Sequence, residues 1–244
     1  MSELIIVMPA YNEAECIEPV TGKWLSAFSL INVESGKLIA VNDGSKDSTG
    51  EILDSLADRD SRLIVVHQKN GGHGSALLRA YNEALKLSPE WIFHVDSDDQ
   101  FEPQDLPALW QHRDKSDFIT GYRKVRHDAL HRLIITKIVV LLNFLLFGKF
   151  LKDANIPYRL IKAEYLRKLL RALPANIFSP NIFLAVLAAK DGQNLMEIPI
   201  KHQDRETGQV SIVRLNLIKA CLRSAKELFR FRLELKQNLK KLRE

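Results

Sequence analysis

The run Trp91-Ile92-Phe93-His94-Val95 passes directly into Asp96-Ser97-Asp98-Asp99-Gln100. A short, largely apolar run predicts a buried strand, and a buried strand cannot hold unpaired carboxylates. The acids therefore belong just past the strand's end, at the rim of a sheet. Asp96 and Asp98 are two apart, so in an extended chain they point the same way. Two converging carboxylates repel unless positive charge lies between them. A hard divalent cation with open positions for phosphate oxygens meets that need, and Gln100 adds a neutral oxygen. Taken alone, an Asp-x-Asp is more often a solvated acidic loop; the neighbouring motifs reverse that balance.

Those motifs recur at fixed places. Leu4 to Met8 is an apolar run closed by Pro9, and helical character follows from about Glu13 to Phe28. Lys37 to Asn42 reads as a second strand, broken by Asp43-Gly44-Ser45. Ser48-Thr49-Gly50-Glu51 has capping-box spacing and opens a helix through Leu56. Arg62 to His67 is a third strand with the turn Asn70-Gly71-Gly72-His73-Gly74, and Ser75 to Leu87 a helix. Strands alternating with helices predict βαβ units and a parallel sheet. In such a sheet the polar segments after successive strands share one edge, where ligands bind. Asp43 there can accept hydrogen bonds from a ribose or a base edge, or simply serve its turn. The turn at Asn70 to Gly74 leads into a helix N-terminus suited to phosphate, without the P-loop or dinucleotide glycine spacing.

Together these segments resemble the inverting family-2 glycosyltransferases of GT-A fold. The resemblance rests on Val7-Met8-Pro9-Ala10-Tyr11-Asn12-Glu13, Val41-Asn42-Asp43-Gly44-Ser45-Lys46-Asp47-Ser48-Thr49, Asn70-Gly71-Gly72-His73-Gly74 and Asp96-Ser97-Asp98-Asp99-Gln100, over roughly the first 125 residues. Within the family the chain is most similar to polyprenyl- and dolichyl-phosphate sugar synthases. The resemblance implies an α/β fold with a mostly parallel, Rossmann-like sheet flanked by helices. It implies that Pro9, Tyr11, Glu13, Asp43, Asn70 and Asp96 hold the nucleotide of a UDP- or GDP-hexose. It implies that Asp96, Asp98 and Gln100 hold Mg²⁺ or Mn²⁺, with Asp96, Asp98 and Arg123 at the reacting centre. Asn42 departs from the family's usual Asp and leaves Asp43 in place.

Gly121-Tyr122-Arg123-Lys124-Val125-Arg126-His127-Asp128 follows a predicted strand, Asp117 to Thr120. On its own it reads as a basic solvated loop. In the lipid-phosphate transferases a Gly-x-Arg segment and a later Arg with a Ser or Thr bind the acceptor phosphate. The resemblance makes Arg123, Arg126, Arg132 and Thr136 the candidates, and the planar fork of arginine suits phosphate oxygens. A phosphate acceptor is already ionised and needs no strong general base. Asp153 is the fallback base for a hydroxyl acceptor. Leu195 to Ile200 reads as a late strand, and the segment from Lys201 to Ser211 resembles the family's loop over the active site. Arg205 and Ser211 could meet phosphate there, while His202 reads as a structural histidine before a metal ligand.

Residues 133–151 are very apolar, yet Lys137 and Lys149 bracket only eleven uncharged residues. A spanning helix needs about 20 apolar residues, so a core or interfacial helix is expected, with interfacial favoured. Residues 214–244 hold ten Lys or Arg against three Asp or Glu, while the chain as a whole has net charge +5. The basic excess thus belongs to a predicted helix, Leu215 to Lys236, with Leu215, Ile218, Leu222 and Phe229 on one side. It suits an anionic membrane surface or remains a solvated terminal helix. A nucleic-acid partner is not expected, since interleaved aromatics are missing. Residues 1–212 are read as the catalytic domain and 213–244 as a basic amphipathic helix. Cys16 and Cys221 form no metal or redox motif. The expected setting is peripheral, at the cytoplasmic face of a membrane, without signal peptide or transmembrane helix. The leading function is transfer of a hexose to a polyprenyl phosphate. The alternatives are transfer to a saccharide hydroxyl and a non-catalytic nucleotide-sugar-binding protein.

Overall fold

The computed structural model describes residues 2–124, 130–174, 177–192, 195–203 and 214–243. The first half builds β1 (Leu4–Ala10), α1 (Ile17–Leu30), β2 (Lys37–Asn42), α2 (Thr49–Arg59), β3 (Leu63–His67), α3 (His73–Lys86) and β4 (Trp91–Val95). The second half adds α4 (Leu106–Trp110), β5 (Phe118–Arg123), α5 (Leu130–Phe147), β6 (Tyr158–Lys162), α6 (Ala163–Ala172), α7 (Pro180–Asp191), β7 (Leu195–Ile200) and α8 (Arg214–Arg243). Seven strands form one sheet in the order β3-β2-β1-β4-β6-β5-β7. β6 alone runs against the rest, pairing antiparallel with both β4 and β5. β5 therefore points the same way as β1 to β4.

All seven residues of β1 are buried. A central parallel strand covered by helices on both faces must be apolar throughout, which explains its unbroken Leu-Ile-Ile-Val-Met-Pro-Ala. Alternate residues feed two cores. Ile5 and Val7 pack with α3, α6 and α7, and Leu4, Ile6 and Met8 pack with α1 and α4. In the second core, Trp24 from α1 is 1% exposed, with its ring 5.4 Å from Phe93 and 5.9 Å from Tyr158. Truncation of Trp24 to Ala would cost about 3–5 kcal/mol.

Several boundaries differ from expectation for identifiable reasons. α1 starts at Ile17, because Glu13 and Ala14 donate their backbone N–H groups to Thr49 Oγ1 and Asp47 Oδ2 at 2.8 and 3.1 Å. The capping box does not form, as Ser48 makes no side-chain cap. Asp47 takes over that role, accepting from the Thr49 backbone N–H at 3.0 Å. Gly121, Tyr122 and Arg123 lie inside β5, not in a loop after it. Among the described residues of α8, Leu228, Phe231, Leu235, Asn238 and Leu242 are buried, while Phe229 is exposed. The buried stripe is thus rotated by one residue, about 100°, from the expected one. The side chains of Leu215, Ile218 and Leu222 lie outside the described set.

β6, α6 and α7 had no sequence reading. β6 carries Arg159 as its second residue, which disguises it. This guanidinium is fully buried and donates to the carbonyls of Ala154, Ile156 and Asn181. Burial pulls its pKa down to about 10, so it remains charged.

Candidate active site

β1 turns outward to β2 on one side and is flanked by β4 on the other, and the crevice at such a reversal is where open parallel sheets bind ligands. The polar segments after β1, β2, β3 and β4 meet there. The first two are zipped together: the Asn12 backbone N–H donates to Ser45 Oγ at 3.0 Å, and the Lys46 N–H to Asn12 Oδ1 at 2.8 Å. Pro9 and Glu13 are buried at this seam and Tyr11 is half-buried.

Asp43 organises the glycine-rich turn. Its Oδ1 accepts from the Gly71 N–H at 2.8 Å and from Gln68 Nε2 at 2.6 Å, and its Oδ2 accepts from the Gly72 N–H at 2.8 Å. Asn70 Nδ2 donates to the Asp43 carbonyl at 3.0 Å. Asp43 is 2% exposed, so what it offers a ligand is mainly the shape of the turn it holds. Gly44 has φ +65°, and a Cβ there would sit 2.7 Å from the Asn70 backbone nitrogen. Only glycine lets the two loops approach this closely. The departure at Asn42 has a local reason: its amide lies 3.0 Å from His67 Nδ1, and His67 Nε2 lies 2.9 Å from Asp54. An amide can donate to that ring nitrogen where a carboxylate could not.

The chain leaves β4 at Asp96 and bends through residues 97–99, with Asp99 in the left-handed region at φ +58°. The extended backbone that would place Asp96 and Asp98 on one side therefore ends at Asp96. For a non-glycine residue, the left-handed conformation of Asp99 costs about 1 kcal/mol. Asp98 Oδ1 accepts from the Gln100 N–H at 3.3 Å. Lys23 reaches from α1 to Asp99 at 2.7 Å and Glu102 at 2.8 Å. The Gln203 N–H donates to the Gln100 carbonyl at 3.0 Å, and the His202 ring lies 5.4 Å from Phe101. The segment after β7 thus lies over this turn.

Two histidines missing from the sequence reading flank Asp96. His94 Nε2 lies 3.3 Å from Asp96 Oδ1, and His73 Nε2 lies 3.7 Å from it. The strand period was a usable signal for His94, two residues before Asp96 on the same face. Burial pushes the Asp96 carboxyl up, but His73, the His94 hydrogen bond and Arg123 together outweigh it and hold it below the usual range. Burial lowers the His94 pKa, against the pull of Asp96. Cys16 Sγ lies 3.4 Å from Glu13 Oε2 and 3.5 Å from the Ser97 carbonyl, bridging the first and fourth loops.

Two donor sets could hold a cation. Asp96, Asp98 and Gln100 offer oxygens from one partly exposed turn, which fits a hard ion such as Mg²⁺ or Mn²⁺. His73, His94 and Asp96 present ligand atoms within 4.8 Å of one another, a set mixed in nitrogen and oxygen. That set abuts the N-terminus of α3, whose dipole disfavours a cation.

Arg123 ends β5 on the same edge and is held bidentately by Asp153, Nε to Oδ2 at 2.7 Å and Nη2 to Oδ1 at 3.0 Å. Asp153 is therefore engaged by a cation, not standing free as a base. Arg126, Arg205 and Ser211 lie outside the described residues, as do the side chains of Arg132 and Thr136 on α5.

The chain resembles known proteins over most of its length. It is 27% identical over 241 residues to an uncharacterised protein of Methanocaldococcus jannaschii, covering 93% of this chain and 98% of that one. It is 28% identical over 239 residues to the polyprenol monophosphomannose synthase of Mycolicibacterium smegmatis, covering 94% and 88%. The undecaprenyl-phosphate 4-deoxy-4-formamido-L-arabinose transferase of Edwardsiella ictaluri is 26% identical over 216 residues, 87% of this chain and 64% of that protein. In fold, it superposes with a TM-score of 0.68 on glucosyl-3-phosphoglycerate synthase from Mycobacterium tuberculosis, solved with Mn²⁺, UDP and glucosyl-3-phosphoglycerate. That likeness covers 95% of this chain and 80% of the other at 18% identity, and it establishes the GT-A fold. The sequence pattern of glycosyl transferase family 2 matches residues 5–173, the span that supplies the whole crevice from β1 through β6, so the chain belongs to that family and is an inverting glycosyltransferase.

Proposed function

We propose that the protein transfers a hexose from a UDP- or GDP-sugar to a polyprenyl phosphate at a membrane surface. The observation that carries this reading is the outward apolar face of α5. Ile138, Leu141, Phe144 and Leu145, with Phe150 just beyond the helix, are all half or more exposed. This segment follows Arg123, so a lipid tail lying against α5 would bring its phosphate toward the cleft. Among the described residues no helix is long and apolar enough to cross a membrane. Docking of the protein at the surface, on its cytoplasmic side, fits that face and the basic residues of α8. The relatives named for polyprenol and undecaprenyl phosphate acceptors support the same reading.

In this mechanism Pro9, Tyr11, Glu13, Asp43, Asn70 and Asp96 position the nucleotide. Asp96, Asp98 and Gln100 would hold Mg²⁺ or Mn²⁺, which when bound offsets the charge developing on the departing diphosphate. Arg123, with its Nε edge fixed by Asp153, turns its remaining N–H groups to the acceptor phosphate, joined by Arg126, Arg132, Thr136, Arg205 and Ser211. An ionised phosphate oxygen attacks without deprotonation, consistent with Asp153 being tied up. Much of the remaining acceleration comes from holding the acceptor opposite the leaving group.

The test is transfer from a panel of radiolabelled UDP- and GDP-sugars to a short polyprenyl phosphate with Mn²⁺, using Asp98→Asn as control. Metal-dependent label in the lipid phase that vanishes in the variant is the expected result. Donor binding without transfer to lipid, followed by transfer to a saccharide, would overturn the acceptor assignment.

A further inference from the structure

The turn Asp96–Gln100 is bent through a left-handed Asp99, a conformation its own backbone disfavours. Besides the Cys16 contact to the Ser97 carbonyl and that of His94 to Asp96, three contacts hold the Gln100 end of the turn and its continuation to Glu102. The Gln203 N–H fixes the Gln100 carbonyl, and the Tyr158 hydroxyl donates to the Glu102 carbonyl at 2.9 Å. The third is Lys23, whose ammonium lies between the Asp99 and Glu102 carboxylates at 2.7 and 2.8 Å. Without that cation the two carboxylates would repel each other across the turn. Lys23 is also the one of the three that belongs to α1, the helix following the Pro9–Glu13 loop on the nucleotide side.

We propose that Lys23 is a positioning residue that holds the Asp99 bend so that Asp98 and Gln100, on either side of it, present oxygens to the divalent cation. The proposal rests on the metal assignment made above. Lys23 touches neither cation nor substrate, and its ion pairs are partly open to water, the three side chains being 22–38% exposed, so its contribution to overall stability is modest. Its effect falls on the geometry of one turn.

The test is Mn²⁺ binding to the full chain, read from the electron paramagnetic resonance signal of free Mn²⁺, with UDP or GDP present. Unmodified protein should bind Mn²⁺ and Asp98→Asn should not. Lys23→Met should bind about tenfold more weakly while its melting temperature stays near that of the parent, and Lys23→Arg should bind within about twofold of the parent. Asp99→Asn keeps a residue tolerant of the left-handed bend but removes the ion pair, so it should weaken Mn²⁺ by a few-fold; it carries the test if Lys23→Met does not fold. Parent-like Mn²⁺ affinity in both Lys23→Met and Asp99→Asn, with Asp98→Asn still defective, overturns the role of Lys23 and leaves the metal assignment intact. Undiminished binding in Asp98→Asn overturns the metal assignment, and the role of Lys23 with it.

Discussion

Asp153 grips one edge of the Arg123 guanidinium with both its oxygens, at 2.7 and 3.0 Å, and the pair is almost closed to water. Such a pair fixes the plane of the arginine fork before any ligand arrives. Asp153→Ala frees the fork. It should raise the KM for polyprenyl phosphate about tenfold while leaving the donor KM alone, since in the proposed reading the free N–H groups of that fork meet only the acceptor. Arg123→Ala does something different: it strands a buried carboxylate and should cost about 3 kcal/mol in chemical denaturation. A shift in donor KM in Asp153→Ala would place Arg123 on the wrong substrate.

The Asp43 carboxylate uses both oxygens to hold the Gly71 and Gly72 N–H groups. An amide has one acceptor oxygen, so Asp43→Asn must leave one of these donors facing an NH₂. The expected loss is about 1–3 kcal/mol of stability. The turn should loosen with it, so calorimetric affinity for UDP or GDP should fall by about tenfold or more. Full nucleotide affinity in a variant that is measurably less stable would show that the turn does not touch the nucleotide.

His94 carries a pH dependence with a definite sign. Burial depresses its pKa in the folded protein below the ordinary value of about 6.5. Below that pH the unfolded chain takes up a proton that the folded protein refuses, so stability falls as pH drops from about 6.5 toward the folded pKa. The depressed Asp96 carboxyl acts in a lower window, where its stabilisation is lost as pH falls below about 3.9. The slope of unfolding free energy between about pH 5 and 6.5 should therefore flatten in His94→Leu. An unchanged slope would mean that His94 binds its proton equally well in the folded and unfolded chain.

The first half of the fold was legible because strand and loop chemistry agree there. The run Trp91–Val95 ends in carboxylates that no buried strand could hold unpaired, and that contrast fixes both the strand and its edge; at β1 the signal is weaker, since the strand continues through Pro9 to Ala10. The second half hides its logic. β6 is short and carries a buried arginine satisfied by the nearby carbonyls of Ala154 and Ile156 and by the distant one of Asn181, which no apolar pattern announces. The same holds within the site. Asp43, Asp96 and Asp98 could be read from their places after strands, whereas Lys23 and His73 come to the Asp96–Gln100 turn only through packing of α1 and α3. On α8 the periodicity was legible but its phase was not, because core contacts with Phe147 and Phe183 choose Phe231 over Phe229.

The outward face of α5 offers the most direct test of the membrane reading. Leu141 and Leu145 are 56% and 67% exposed, one turn apart on the face opposite Phe147, which packs into the core. Replacing both with Glu removes no core contact, so the melting temperature should hold. If the face enters the interface of a bilayer, the substitution discards the transfer energy of two leucines and adds two anions. With about 1.5–3 kcal/mol for each fully buried leucine, and roughly half of each already covered, the loss is about 2 kcal/mol. That is more than tenfold in binding to vesicles containing anionic phospholipid, measured by co-sedimentation. Transfer to a short, water-soluble polyprenyl phosphate should fall less than transfer to a long-chain acceptor held in vesicles, because the short tail covers less of α5 and the cleft itself is untouched. Equal sedimentation of parent and variant would remove α5 from the membrane contact and leave the basic side of α8 to account for any binding that remains.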